Sequence, residues 1–356
     1  MRKKHFLFAS VLALLCGSSA LHAQDFKLTS SGYFKNQGVD IMAFDDIYPE
    51  GHQGGVCIIM NGHRVATNGD IRLEATPGQW QPVPKQLDRK LGDNSITATL
   101  CYPDSSRHLT GFNPMIYPDL HLIYTVNVES KGKNIEVTVD LDRPIPQEFI
   151  GKVGFNLEFF PGSLFGKPWI MDGQSGIFPQ QPNSPLMTTQ PNYLHTGNYH
   201  DGKKSLADMD KLIGKGYSPI VADDIISEPY AKGTKFTSRP DDPYNKVTIE
   251  SLSGDLQLFD GRMNHNNGWF VLRSNIKPGV TKGAVKWIIT PNVVADWMYQ
   301  PVIQTSQIGY HPLRTRKPSS KWIYVTTERK RHKSSALMPT AKRLSRTSLL
   351  PTGVNS

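Results

Sequence analysis

Asp260, His265 and Trp269 fall within one polar run, Asp260-Gly261-Arg262-Met263-Asn264-His265-Asn266-Asn267-Gly268-Trp269, set between two apolar, strand-like stretches. Its carboxylate, imidazole and amides can hydrogen-bond sugar hydroxyls, and an indole suits the apolar face of a pyranose ring. The same composition also makes a tight strand connection, because Asn and Gly accept positive φ. Trp169 is a second candidate stacking face and Trp80 a third, and each serves equally well as core. Glu158 and His121, both in strand-like runs, could form an acid/base pair acting on a sugar, or simply occupy a half-exposed strand face.

Other chemistry is thinly represented. The sequence has no G-x-S-x-G elbow, H-E-x-x-H pair, Gly-rich phosphate loop or EF-hand loop. Asp172-Gly173-Gln174-Ser175-Gly176 comes nearest to an elbow and lacks its spacing. Asp45-Asp46, Asp223-Asp224 and Asp241-Asp242 are adjacent pairs. On a strand, neighbours point to opposite faces, so solvated loop ends are the simpler reading of all three. No cofactor and no metal is called for.

The compartment is read from the first residues. Arg2, Lys3, Lys4 and His5 precede the apolar run 6–15, and small residues follow up to Ala20 and Ala23. That is the layout of a secretory signal over 1–23, too short to span a bilayer. Export to the periplasm or beyond is therefore expected. Leu15 before Cys16 argues against a lipoprotein site, where a small residue is required. Cleavage would leave Cys57 and Cys101, which could pair in an oxidising compartment or pack as two small buried hydrophobes.

The formal charge is +9, but from His311 onward there are 11 Lys or Arg and one acid, so residues 1–310 carry about −1. The basicity is all tail, and a nucleic-acid partner is not expected on these grounds. No later segment is long and apolar enough to cross a membrane as a helix.

The elements that must position these residues read as β almost throughout. Residues 96–102, 120–128, 135–141, 153–160, 247–252, 256–259, 269–274 and 284–290 are rich in β-branched and aromatic side chains. Ile135, Val137, Val139 and Leu141 alternate with Glu136, Thr138 and Asp140, the period of a strand with one buried face. Asn61-Gly62 between two apolar runs predicts a tight hairpin. These signals predict an all-β protein built on a large β-sandwich. One helix is expected over 205–213, capped by Ser205 and stopped by Gly214. Residues 162–199 and 230–244 read as long loops and a polar connection.

Several strings resemble the N-terminal region of bacterial family 9 glycoside hydrolases, the cellulase and endoglucanase family. They are Met42-Ala43-Phe44-Asp45-Asp46-Ile47-Tyr48-Pro49-Glu50-Gly51-His52-Gln53-Gly54-Gly55, Pro77-Gly78-Gln79-Trp80-Gln81-Pro82-Val83-Pro84, Gly151-Lys152-Val153-Gly154-Phe155-Asn156-Leu157-Glu158 and Trp287-Ile288-Ile289-Thr290-Pro291-Asn292. Gln304-Thr305-Ser306-Gln307-Ile308-Gly309-Tyr310-His311-Pro312 is similar to the opening strand of the Ig-like domain that precedes that family's helical catalytic barrel.

The resemblance spans about residues 38–312 and implies a non-catalytic leader module, with plant-type polysaccharide or oligosaccharide as the partner. The family's catalytic residues map onto no position here. The implied layout is a signal over 1–23, a sandwich over 24–300, the first strand of an incomplete Ig-like domain over 301–312, and a basic, disordered tail over 313–356. A shifted reading frame after Pro312 accounts for that break. Two other readings stay open: a sugar-active sandwich of the epimerase kind, and a packing module with no ligand.

Overall fold

The computed structural model describes residues 25–45, 54–74, 76–77, 84–102, 120–182, 187–189, 225–263, 268–299, 302–304 and 319–321. In chain order the strands are β1 (Lys27–Leu28), β2 (Phe34–Asn36), β3 (Val39–Ala43), β4 (Val56–Met60), β5 (His63–Leu73), β6 (Lys85–Leu91), β7 (Ser95–Cys101) and β8 (Ile123–Lys131). They continue with β9 (Asn134–Leu141), β10 (Val153–Phe159), β11 (Pro168–Met171), β12 (Gln174–Ile177), β13 (Met187–Thr189), β14 (Ile225–Ser227) and β15 (Ala231–Gly233). The last are β16 (Lys235–Ser238), β17 (Val247–Ser251), β18 (Leu256–Asp260), β19 (Phe270–Asn275), β20 (Val285–Pro291), β21 (Val302–Gln304) and β22 (Ser319–Lys321).

Two antiparallel sheets of nine strands form the expected sandwich. The first runs β1-β2-β3-β4-β5-β10-β19-β18-β15, the second β12-β11-β16-β17-β20-β9-β8-β7-β6. Period-two alternation builds the layer between them. In β10, Phe155, Leu157 and Phe159 enter the core, and in the second sheet Val137, Ile249, Phe236 and Trp287 meet them from the other side. Phe155 packs edge-on to Trp287 at 5.0 Å between ring centroids, and Phe159 edge-on to Phe236 at 5.8 Å. Trp287 also donates its Nε1–H to Ser274 Oγ at 3.0 Å, so its one polar atom is satisfied across the core.

The Asn61-Gly62 hairpin forms between β4 and β5, with φ of 53° and 83° at the two turn residues. Two expectations need correction. The stretch 162–199 is not all loop, because β11 and β12 make a hairpin at the edge of the second sheet, with β16 alongside. Trp169 and Met171 of β11 alternate into the core, and that apolar alternation outweighs the local Pro and Gly content. The stretch 230–244 likewise contains β15 and β16. Of the two readings left open for the cysteines, no disulfide joins Cys57, buried in β4 of the first sheet, to Cys101, half-buried in β7 of the second.

The helix expected over 205–213, Trp80, Asp46 and Asp223-Asp224 lie outside the described residues. A second compact unit begins at Gln300. In it β21 pairs antiparallel with β22, so the strand expected to stand alone after residue 300 has a partner from the basic tail. No helix among the described residues is long and apolar enough to cross a membrane.

Candidate functional site

A buried assembly of ionisable side chains belongs to the first sheet. In β10, Asn156 and Glu158 alternate with the core residues Phe155, Leu157 and Phe159, so they project from the opposite face. That face is nevertheless buried: Asn156 is 0% exposed and Glu158 3%. Register brings Asn156 beside Arg273 of β19 and Asp70 of β5, and Glu158 beside Thr67 of β5. A bulge in β5 between those pairings gives Asn68 a φ of 55° and aims its amide at Glu158.

Two hydrogen-bonded groups result. Glu74, just past β5, accepts from Asn156 Nδ2 and lies 3.2 Å from Arg273 Nη1. Arg273 also donates to Asn156 Oδ1, to the carbonyls of Glu74 and Lys152, and to Asn275 Oδ1. In the other group, Asn68 Nδ2 donates to Glu158 Oε2 at 2.6 Å and Arg72 Nε lies 4.0 Å from Glu158 Oε1. At the bulge, Asp70 Oδ1 accepts from Tyr124 Oη of the second sheet at 2.9 Å and from the Ile71 N–H. Asn68 Oδ1 and Arg72 Nε, both buried, have no hydrogen-bond partner among the described residues.

The electrostatics follow from burial. Among the described residues, Asp70, Glu74 and Glu158 face Arg72 and Arg273 in a region of low dielectric. Burial pushes Glu74 up to about 7, opposed by Arg273 and reinforced by Glu158. Burial likewise raises Asp70 to about 6, with Arg72 pulling the other way. Burial opposes the charge on Arg72, but Glu158 and Asp70 outweigh it and hold the guanidinium ionised. Tyr102 and Tyr124 are raised above the usual phenol range, chiefly by burial and next by Asp70. The arrangement can hold a proton near neutral pH, which is what acid/base chemistry needs.

The residues singled out from sequence fare differently. Glu158 is in this layer, but His121 is exposed, with φ 45°, ahead of β8 in the other sheet. Burial separates the proposed acid/base pair. Asp260 is 1% exposed and committed to Arg262, which donates to it from Nε at 2.8 Å and Nη2 at 2.8 Å, while Tyr230 Oη donates at 3.3 Å. Arg262 in turn holds the carbonyls of Pro179 and Gln180 and stacks over Phe270 and Phe165. Asp260 thus fastens a loop and does not offer a free carboxylate to a sugar.

Trp169 is 5% exposed with its ring against Gly176, where an added Cβ would lie 2.5 Å from the indole. It is core, not a stacking platform. Trp269 is half-buried, edge-on to Phe160 at 4.2 Å, and keeps a part of its surface in solvent. His265 lies outside the described residues. Asp45 is 3.6 Å from Arg89, and Asp242 is tied to Arg239 and Asn245, so neither belongs to an acid/base dyad. Asp172 closes the β11–β12 turn and accepts from the N–H groups of Thr234 and Lys235. Among the described residues no group of three His, Cys, Asp or Glu could hold a metal ion.

No family model matches the chain, and no curated protein matches it. Among solved structures it is similar to a galactose mutarotase related enzyme from Lactobacillus acidophilus, at 8% identity and a TM-score of 0.35, over 72% of this chain and 96% of that one. A galactose mutarotase-like protein from Lactobacillus casei matches at 13% identity and a TM-score of 0.31, over 72% and 98%. A protein from Synechocystis matches at 11% identity and a TM-score of 0.33, over 75% and 96%. These likenesses are low in sequence and in superposition, and no site residue is carried over from them. They lend no support to the family 9 resemblance, which rests on the sequence strings alone.

Proposed function

We propose that this chain is the exported, non-catalytic β-sandwich module of a polysaccharide-degrading hydrolase of the family 9 kind, supporting its catalytic partner and contacting glycan along its rim. The sequence strings supply the substrate class. The observation that carries the non-catalytic half is the condition of the acids: Glu74, Glu158, Asp70 and Asp260 are each at most 3% exposed and each engaged by an arginine, an amide or a hydroxyl. A general acid must reach the glycosidic oxygen, and an acid locked in this way serves packing. Of Trp169 and Trp269, the second keeps surface in solvent and is the ring assigned to glycan contact.

A second reading has its own support. Among the described residues, Asn68 Oδ1 and Arg72 Nε beside Glu158 make no hydrogen bond, and Glu74 and Asp70 take up protons near neutrality. A sugar seated there would make this an anomer- or epimer-converting enzyme, with Glu158 as the base. Polarimetry and NMR of free aldoses with the purified chain separate the two. The first reading expects no acceleration over buffer, and retention on cellulose, xyloglucan or mixed-linkage glucan that falls in Trp269→Ala. Acceleration abolished by Glu158→Gln would establish the second and overturn the first.

A further inference from the structure

We infer that a groove across the outer face of the second sheet binds a carboxylate-bearing polysaccharide, a polyuronate. The groove, of about 460 Å³, runs from Lys235 of β16 across Lys246, Thr248 and Glu250 of the β17 region and Thr290 of β20 to Lys133 in the β8–β9 turn. It crosses the strands of the sheet, and three strand spacings give a span of about 14 Å. That is the run of a short oligosaccharide lying across the sheet.

Charge selects the occupant. Lys133 and Lys246 are in no ion pair among the described residues, and Lys235 has only Glu250, at 3.8 Å, with the two side chains 59% and 47% exposed. A pair so exposed contributes little and gives way to a competing carboxylate. Three ammonium groups against one carboxylate is a local excess in a body that carries about −1 over residues 1–310. Between the lysines lie Thr248 and Thr290, whose hydroxyls bond Thr237 and Asn134 and retain capacity for sugar hydroxyls.

What the lining lacks narrows the class. Among the described residues it contains no aromatic ring, so neither a neutral glucan that needs stacking nor unpaired bases find a platform. Among the described residues it contains no arginine, so any anion is met by ammonium point charges alone, and the DNA arm of the test separates phosphate from carboxylate. Point charges spaced among hydroxyl groups match a chain with one carboxylate per sugar. This surface belongs to the second sheet and the buried acid layer to the first, so either reading can fail without the other.

The test is affinity electrophoresis of the full chain in gels containing polygalacturonate, a neutral mixed-linkage glucan or single-stranded DNA. The basic stretch after residue 310 attracts any polyanion, so the decisive quantity is the difference between wild type and Lys133→Glu/Lys246→Glu, which share that stretch. Polygalacturonate should retard the wild type, with Kd at least tenfold weaker in the double variant and unchanged in Lys133→Arg/Lys246→Arg. Retardation should fade as salt rises from about 0.05 to 0.5 M, where screening shortens to a few Å. Both sets of substitutions are at the surface and should leave the melting temperature unchanged. Equal retardation of wild type and the charge-reversed variant overturns the proposal, as does no retardation at all. A charge-reversal effect equally large on DNA would make the groove a general polyanion site and overturn it too.

Discussion

Arg273 Nη1 lies 3.2 Å from Glu74 Oε1 with the two side chains 1% and 0% exposed, joining positions 199 residues apart in the sequence. Burying both charges is costly, and the contact persists because the remaining guanidinium hydrogens meet Asn156, Asn275 and two backbone carbonyls. The pair stitches β19 to the end of β5 through β10. Loss of one partner takes an opposite charge away from the other inside a buried site.

Glu74→Ala and Arg273→Ala should therefore each cost about 3–5 kcal/mol of unfolding free energy. The double replacement Glu74→Leu/Arg273→Met should cost clearly less than the sum, since no charge is then stranded. Urea unfolding followed by tryptophan fluorescence measures this. Single variants within about 1 kcal/mol of wild type would mean that the pair is solvated in solution.

The same layer sets a pH dependence. Glu74 at about 7 and Asp70 at about 6 hold protons in the folded state that the unfolded chain releases nearer pH 4. Where the folded state binds more protons, unfolding free energy falls as pH rises. Stability should drop across pH 4 to 7 and level off above, with Glu74 contributing on the order of 3 kcal/mol. Asp242, lowered despite its burial by Asn245 and Arg239, titrates below that window. Glu74→Gln keeps the acceptor for Asn156 and Arg273 but cannot titrate, so its melting temperature should differ less between pH 5.5 and 8 than that of wild type. An equal slope in both proteins would assign the dependence elsewhere.

The two tryptophans separate cleanly. Trp169 is packed in the core against Gly176, so Trp169→Ala should cost about 3–5 kcal/mol, and any loss of glycan retention would follow unfolding. Trp269 is half-buried beside Phe160, and Trp269→Ala should lower stability less. Retention lost in Trp269→Ala at a nearly unchanged melting temperature marks a contact; retention kept leaves Trp269 as packing alone. Thermal melts run beside pull-downs on mixed-linkage glucan make the comparison.

Legibility in the sequence followed the range of the interactions. The Asn61-Gly62 turn and the alternation of β9 are local and could be read directly. The β11–β12 hairpin was hidden because its Pro and Gly residues look like loop, whereas its strand character comes from pairing with β16, some 65 residues later. The buried acid layer was hidden for a related reason. Asp70, Arg72 and Glu74 alternate with Ile71 and Leu73 as a solvent-facing strand would, and only the pairing of β5, β10 and β19 sets acids of one strand against arginines of another. Opposite charge on several apolar strands would have been the signal for it; Glu158 was singled out only as a possible acid/base partner of His121. Asp260 was visible as a polar residue, but not that Arg262, two residues on, consumes it.

The end of the first unit closes on the β4–β5 turn, and this contact is testable on its own. Gly62 has φ 83°, and a Cβ there would come within 2.7 Å of Tyr299 Cε1. Gly62→Ala thus meets two penalties: about 1 kcal/mol for a left-handed backbone and a further cost for displacing the tyrosine ring. Asn61, at φ 53°, already accepts such a conformation, so Asn61→Gly should change stability by only a few tenths of a kcal/mol. Tyr299→Ala removes the clash without altering the backbone. In that background Gly62→Ala should retain only the conformational penalty, and the difference between the two costs gives the coupling of the turn to Tyr299. Denaturant unfolding of the four proteins in this cycle gives the answer. Equal costs in both backgrounds would show that Tyr299 does not rest on the turn in solution.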